Sequence, residues 1–262
     1  MIELSSTPDV IAALSRAGEI EARAYTLHGP VKDALEAAAR RGAHVVVALE
    51  GQPFKNPLLA GENAKVVREM RAAGVDARLE DPVHAKTIVA DGTHYFDDKN
   101  WAEGDLVLRT DAAAAASIPM LKHEALELER QLVNGAGPGD DAIVESESFG
   151  AGNPVYSALD AAAKRGLSPR LLVCNRELAG SAQERKCLDK LARDGVRVRV
   201  CTNTEKLAVA GDRAWIGSAN ATVAFGKFDM PDWGCSTADP AIVSRIADRL
   251  EAVWAGAREF RG

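Results

Sequence analysis

His84 and Lys86, separated by one residue in the run HAKTIVAD (84 to 91), are the side chains of this sequence best suited to chemistry. In an extended strand successive side chains alternate faces, so His84, Lys86 and Ile88 point one way and Ala85, Thr87 and Val89 the other. The imidazole and the ammonium then share a face, about 7 Å apart along the strand. That arrangement suits a phosphodiester: a neutral imidazole can attack phosphorus while a lysine stabilises charge on the non-bridging oxygens. Asp91 closes the run, and Asn100 follows nine residues later.

The run has a partner elsewhere in the chain. HAKTIVADGTHYFDDKN (84 to 100) aligns without a gap with TEKLAVAGDRAWIGSAN (204 to 220). Upstream, ALEAAARRG (34 to 42) matches ALDAAAKRG (158 to 166), both helical in composition and both ending on a glycine suited to a helix C-cap. Each is followed by a short apolar strand candidate, AHVVVALE and RLLVCN. Each copy then repeats a helix, a glycine and a strand, VVREMRAAGVDARLE in the first and LDKLARDGVRVRVC in the second. Between them NGAGPGDD (134 to 141) reads as a turn or linker and lacks the flanking strand and helix of a dinucleotide fingerprint.

The chain thus divides into two tandem repeats, residues 1–137 and 138–262. Alternation of strands with helices predicts an α/β fold in which each repeat is a mixed, mostly parallel sheet flanked by helices. Packing of the two about a pseudo-twofold axis would bring matching strands together at a shared site.

The spacing His-x-Lys-x4-Asp, the asparagine beyond it, the tandem repeat and the GSAN of the second copy together resemble the signature of the phospholipase D superfamily, in its two-lobed form. The resemblance spans roughly residues 22 to 255. It implies a metal-independent, two-step displacement with no cofactor, in which one histidine becomes phosphorylated and a second protonates the leaving group. On that basis His84 is the nucleophile, Lys86 and Lys206 clamp the phosphate, and Asn100, Asn220, Ser218 and the Gly217 backbone contact its oxygens. Asp91 is mainly structural. Asp105 and Asp232, each just ahead of a strand-like run, are the acidic residues expected to orient histidines.

The departures carry equal weight. Thr204 stands where the second histidine should be, Gly211 where the aspartate should be, with Asp212 displaced by one, and no histidine follows His123. In the first copy Asp97 and Asp98 replace the expected Gly-Ser. A carboxylate 4 Å from a phosphate costs about 4 kcal/mol at an effective dielectric of about 20. Loss of a general acid costs about 10² to 10⁴ in rate. Three repairs suggest themselves: a second His84 from a homodimer, a substitute in His28 or His94, or a substrate whose leaving group needs no proton.

Composition bounds the alternatives. With 47% apolar residues and a formal charge of −6, the 262-residue chain is globular and has no global attraction for polyphosphate, so a nucleic-acid partner is disfavoured. The first residues lack a secretory layout and no apolar run approaches the roughly 20 residues that span a bilayer, which predicts a cytoplasmic protein, monomer or homodimer, without integral membrane association. Cys174, Cys187, Cys201 and Cys235 show no metal-binding spacing and read as buried thiols. His44 and His123 read as surface residues, KHEALELER (122 to 130) as a solvated helix face, and Trp101, Trp215 and Trp233 as either pocket lining or core. Three functions compete: a phosphodiester hydrolase or transferase working through a phosphohistidine at His84, an inactive relative that binds a phosphate ligand or a protein, and a dimeric nuclease.

Overall fold

A computed structural model describes residues 1–53, 56–178 and 180–261. The chain falls into two compact units, one of Met1–Pro119 with Met230–Trp233, the other of Met120–Asp229 with Gly234–Gly262.

In the first unit the order is β1 (Ile2–Ser6), α1 (Thr7–Leu14), β2 (Glu19–Ala24), α2 (Gly29–Arg40), β3 (His44–Glu50), α3 (Pro57–Ala72), β4 (Asp76–Glu80), β5 (Lys86–Ala90), β6 (Thr93–Asp97), β7 (Leu106–Thr110) and α4 (Ala112–Ala115). Its sheet runs β1-β7-β6-β5-β2-β3-β4. The repeated ALEAAARRG forms α2, which buries Val31, Leu35 and Ala38 at helical spacing against the sheet. Full burial of Val31 and of Leu35 contributes about 1.5 to 3 kcal/mol each. Strand β3, covered on both faces, is buried almost throughout, as parallel strands flanked by helices are. The unit's core joins Ile20, Leu35, Val47, Val66, Met70 and Ile88 among others.

The chain continues through β8 (Pro119–Leu121), α5 (Lys122–Gly135), β9 (Ala142–Ser146), α6 (Pro154–Lys164), β10 (Arg170–Cys174), α7 (Asn175–Leu178), α8 (Ala182–Arg193), β11 (Arg197–Cys201), β12 (Leu207–Ala210), β13 (Arg213–Gly217), β14 (Pro231–Thr237), α9 (Pro240–Gly256) and β15 (Arg258–Glu259). The sheet order is β15-β11-β10-β9-β12-β13-β14-β8. Set side by side, β7-β6-β5-β2-β3-β4 and β14-β13-β12-β9-β10-β11 are one topology occurring twice, the structural counterpart of the sequence repeat.

Both sheets are mixed, and β2-β3-β4 and β9-β10-β11 pair in parallel. In the first sheet the other pairs are antiparallel, so the expectation of a mostly parallel sheet is corrected there. The reason is the motif itself: β5 and β6 are joined by a tight turn, which permits only an antiparallel hairpin. The linker expected at 134 to 141 begins later than its composition suggests, because α5 continues through Gly135. KHEALELER, expected to be a solvated face, buries Lys122, Ala125, Leu126 and Glu129 as the inner side of α5. All four cysteines are buried free thiols, and burial pushes those of Cys187 and Cys201 up to about 12. Among the described residues no helix is long and apolar enough to cross a membrane.

Candidate functional site

The C-terminal ends of β2 and β3 and the start of β5 meet in the first unit. Strand β5 begins at Lys86, so His84 lies in the approach to the strand and not within it as the alternation argument had it. The alternation holds from Lys86 onward, with Lys86, Ile88 and Ala90 buried and Thr87 and Val89 half-buried. What positions His84 is Glu50, buried at the end of β3, whose Oε2 accepts from the Val83 backbone N–H at 2.6 Å. Its Oε1 accepts from Gln52 N–H at 2.8 Å. Burial raises this carboxyl above its ordinary range, although the two backbone bonds oppose the shift.

His84 Nδ1 lies 2.8 Å from Oδ1 of Asp232, whose side chain is completely buried, while the His84 side chain keeps 18% exposure. An ionised carboxylate can only accept, so this bond places the proton on Nδ1 and makes Nε2 the nitrogen that carries the ring's lone pair. The ring of Tyr25, just past β2, stands edge-on to the His84 imidazole with centroids 5.3 Å apart. Lys86, only 3% exposed, has its Nζ 5.7 Å from the centre of the same ring. The structure therefore brings together His84, Lys86, Asp232 and Tyr25.

Asp97 is the cross-strand partner of Lys86. It and Asp98 are fully buried. Rather than projecting a charge, Asp97 turns Oδ2 to its own loop, accepting from Trp101 N–H at 2.7 Å and Lys99 N–H at 3.1 Å. Burial, with Asp98 and Asp105 adding repulsion, holds its carboxyl well above the usual range, which favours the neutral form. The repulsion expected from sequence is thereby blunted at Asp97. Trp233 Nε1 donates to the Asp97 carbonyl at 3.0 Å, and Trp101, Trp215 and Trp233 are all core residues.

The remaining first-copy residues separate. Asp91, at φ +46° in the β5–β6 turn, accepts from Glu19 N–H at 2.9 Å and Gly18 N–H at 3.1 Å and so ties the turn to the start of β2, a structural role. His94 pairs with Val89 across the hairpin, three residues and about 10 Å of strand from the Lys86 end and on the opposite face. Its position does not suit a substitute acid at His84. His28 is the exposed N-cap residue of α2 and makes no side-chain capping bond. Asn100 is exposed. Asp105 holds a lysine where a histidine was expected: Lys99 Nζ lies 2.7 Å from its Oδ1.

In the second unit the motif is occupied differently. Lys206, 3% exposed, donates to the Thr204 carbonyl at 2.9 Å and pairs with Glu147 at 3.2 Å. Ser218 is fully buried, and Asn220 Oδ1 accepts from Ser148 N–H at 3.2 Å. Glu205, also buried, is held by Arg249 at 2.6 Å. Gly211 shares the left-handed backbone of Asp91, with φ +58°, but a Cβ there would stand 3.1 Å from Asp140 Oδ2. The aspartate missing from the turn has its space taken by one from the preceding linker. His123 is more than a plain surface residue: its Nδ1 and backbone N–H both bond to Asp229, at 2.7 and 2.9 Å.

Sequence reasoning missed Tyr25, Glu50, Lys99 and Glu147. For Tyr25 a signal existed: the register of the repeated ALEAAARRG and ALDAAAKRG sets it opposite Phe149, so that an aromatic follows β2 in one copy and β9 in the other.

No protein-family model matches the sequence, and no curated protein is similar to it. Solved structures are. A phosphatidylserine synthase from Haemophilus influenzae Rd KW20 superposes with a TM-score of 0.70 at 10% identity, covering 99% of this chain and 87% of that one. A polyphosphate kinase from Porphyromonas gingivalis gives 0.63 at 18% identity over 97% of this chain, which spans about 50% of the kinase's length. A phospholipase D family member from Salmonella typhimurium matches 56% of this chain and 99% of its own at a TM-score of 0.48 and 19% identity. The two long superpositions are with members of one superfamily and cover both sheets, so the chain has the phospholipase D-like α/β fold, in two copies.

Proposed function

We propose that this protein is a phosphodiester hydrolase or transferase that works through a phosphohistidine at His84. The observation that carries the reading is the 2.8 Å bond from His84 Nδ1 to the buried Asp232, beside the buried Lys86. In the first step the Nε2 lone pair attacks phosphorus, the bond to the leaving oxygen breaks, and that oxygen departs with the electron pair and takes a proton from water. The phosphorylated ring retains its Nδ1 proton, and the Asp232 carboxylate offsets its positive charge. Lys86 balances the charge on the non-bridging oxygens. In the second step water or an alcohol attacks phosphorus and loses its proton to solvent, while the P–Nε2 bond breaks and its electron pair returns to Nε2, leaving the imidazole neutral.

The second copy offers Thr204 where the fold's other histidine would stand. The reaction proposed here therefore favours substrates whose leaving group departs without protonation, and loses about 10² to 10⁴ on poorer ones. Two likenesses to phosphoryl- and phosphatidyl-transferring proteins support the class but not the substrate.

A second reading has its own observation. The acidic residues Asp97, Asp98 and Asp105 buried in the first unit, together with Thr204 in the second, suit a protein that kept the fold and binds a phosphate ligand without turnover. Hydrolysis of bis(p-nitrophenyl) phosphate, with chelator present, separates the two. The catalytic reading expects release of nitrophenolate that disappears in His84→Ala. Equal rates in wild type and His84→Ala would leave the binding reading in its place.

A further inference from the structure

We propose that Tyr25 is a positioning residue for His84 and Lys86 and that it acts through its ring; this rests on the reading of His84 as nucleophile. One hydrogen bond at Nδ1 fixes the tautomer of an imidazole but acts as a pivot about which the ring can still swing. The edge-on contact of Tyr25, at 5.3 Å and an interplanar angle of 70°, removes that freedom. The same ring lies 5.7 Å from Lys86 Nζ, where its quadrupole attracts a cation withdrawn from water. A single side chain thus sets the direction of Nε2 and the place of the ammonium that must meet the same phosphate.

The backbone that carries the ring is itself anchored. Asn63 of α3, fully buried, donates from Nδ2 to the Tyr25 carbonyl and to the Glu50 carbonyl, both at 2.8 Å. Glu50 in turn holds Val83, the neighbour of His84. Tyr25 and the His84 backbone therefore hang from one buried network across β2, β3 and α3. In the second copy, where Thr204 replaces the histidine, Phe149 has a different neighbour and packs on Tyr156 at 6.5 Å.

The test compares wild type with Tyr25→Phe, which keeps the ring, and Tyr25→Leu, which keeps a smaller apolar side chain without a quadrupole. The first readout is the imidazole ¹⁵N and Nδ1–H resonances of His84, which need no turnover. Tyr25→Phe should preserve the wild-type Nδ1–H signal and Tyr25→Leu should broaden it. The second is kinetic, on bis(p-nitrophenyl) phosphate. Misplacement of the nucleophile by about 1 Å should lower kcat of Tyr25→Leu about 10²-fold with KM nearly unchanged, while Tyr25→Phe stays near wild type. Should Tyr25→Phe lose as much as Tyr25→Leu, the hydroxyl is the working group and the proposal fails. It fails equally if the leucine variant keeps the His84 signal, or if its loss falls on KM alone. A wild type inactive on this probe would count against the nucleophile reading, and the resonances would still decide the role of the ring.

Discussion

Replacing Asp232 by asparagine keeps the size of the side chain but reverses what it can offer His84. The carboxylate accepts from Nδ1–H at 2.8 Å; an amide nitrogen turned to the same atom would donate, move the ring proton to Nε2 and occupy the lone pair that should attack phosphorus. The charge term adds to this. With carboxylate and imidazolium charge centres about 4 Å apart and an effective dielectric of about 20, their attraction in the phosphorylated state is about 4 kcal/mol, about 10³ in rate. Including the wrong tautomer, Asp232→Asn should lower kcat on an activated phosphodiester by about 10³ to 10⁴, with KM changed little. Asp232→Ala, which leaves the ring free to choose its tautomer, should lose no more than Asp232→Asn. The assay is steady-state release of nitrophenolate, with near-ultraviolet circular dichroism as the control for folding. Retention of more than about a tenth of the wild-type kcat by Asp232→Asn would refute the reasoning, since a tenfold loss represents only about 1.4 kcal/mol.

Three further outcomes concern stability. Arg249→Ala leaves the buried Glu205 without its guanidinium partner and should cost about 2 to 3 kcal/mol, read as a lowered denaturant midpoint with an unchanged slope. Glu129 is buried, its Oε1 has no hydrogen-bond partner among the described residues, and burial holds its carboxyl well above the usual range. Its folded state keeps a proton that the unfolded chain releases, so its contribution is fully present below about pH 4.3 and is lost as pH rises toward the folded value. Glu129→Gln should accordingly raise Tm more at pH 8 than at pH 4; an equal change at both would contradict the assignment. Gly211→Asp, which restores the motif residue in the second copy, should cost about 1 to 2 kcal/mol by combining a left-handed backbone with a clash against Asp140, and should bring no activity.

The parts of the fold legible in the sequence were those governed by local periodicity. The paired ALEAAARRG and ALDAAAKRG announced α2 and α6, and VVREMRAAGVDARLE and LDKLARDGVRVRVC announced α3 with β4 and α8 with β11. Lys86 and Ile88 alternate as the strand rule requires. The strand-like run WGCST marks Asp232 in the sequence; the residue lies inside β14 and not ahead of it, and it is the one bonded to His84. The rest depends on contacts between residues distant in sequence. Nothing local tells that Tyr25 will touch His84, that Glu50 will hold Val83, or that Lys99 will take the partner place at Asp105. Helix-strand alternation describes the parallel β2-β3-β4 alone, whereas the motif strands β5 and β6 follow hairpin rules and pair antiparallel. His94 illustrates the same limit: proximity in sequence to the motif set it on the far end and the wrong face of the hairpin.

The central claim, that His84 accepts the phosphoryl group, is tested most directly by trapping it. Wild-type protein mixed with excess bis(p-nitrophenyl) phosphate, quenched in alkali within the first turnover and digested, should yield in the mass spectrometer a nitrophenylphosphoryl adduct on the peptide carrying His84. The adduct should be acid-labile and absent from His84→Gln. Turnover without an adduct on that peptide, or an adduct on another residue that survives in His84→Gln, would contradict the account.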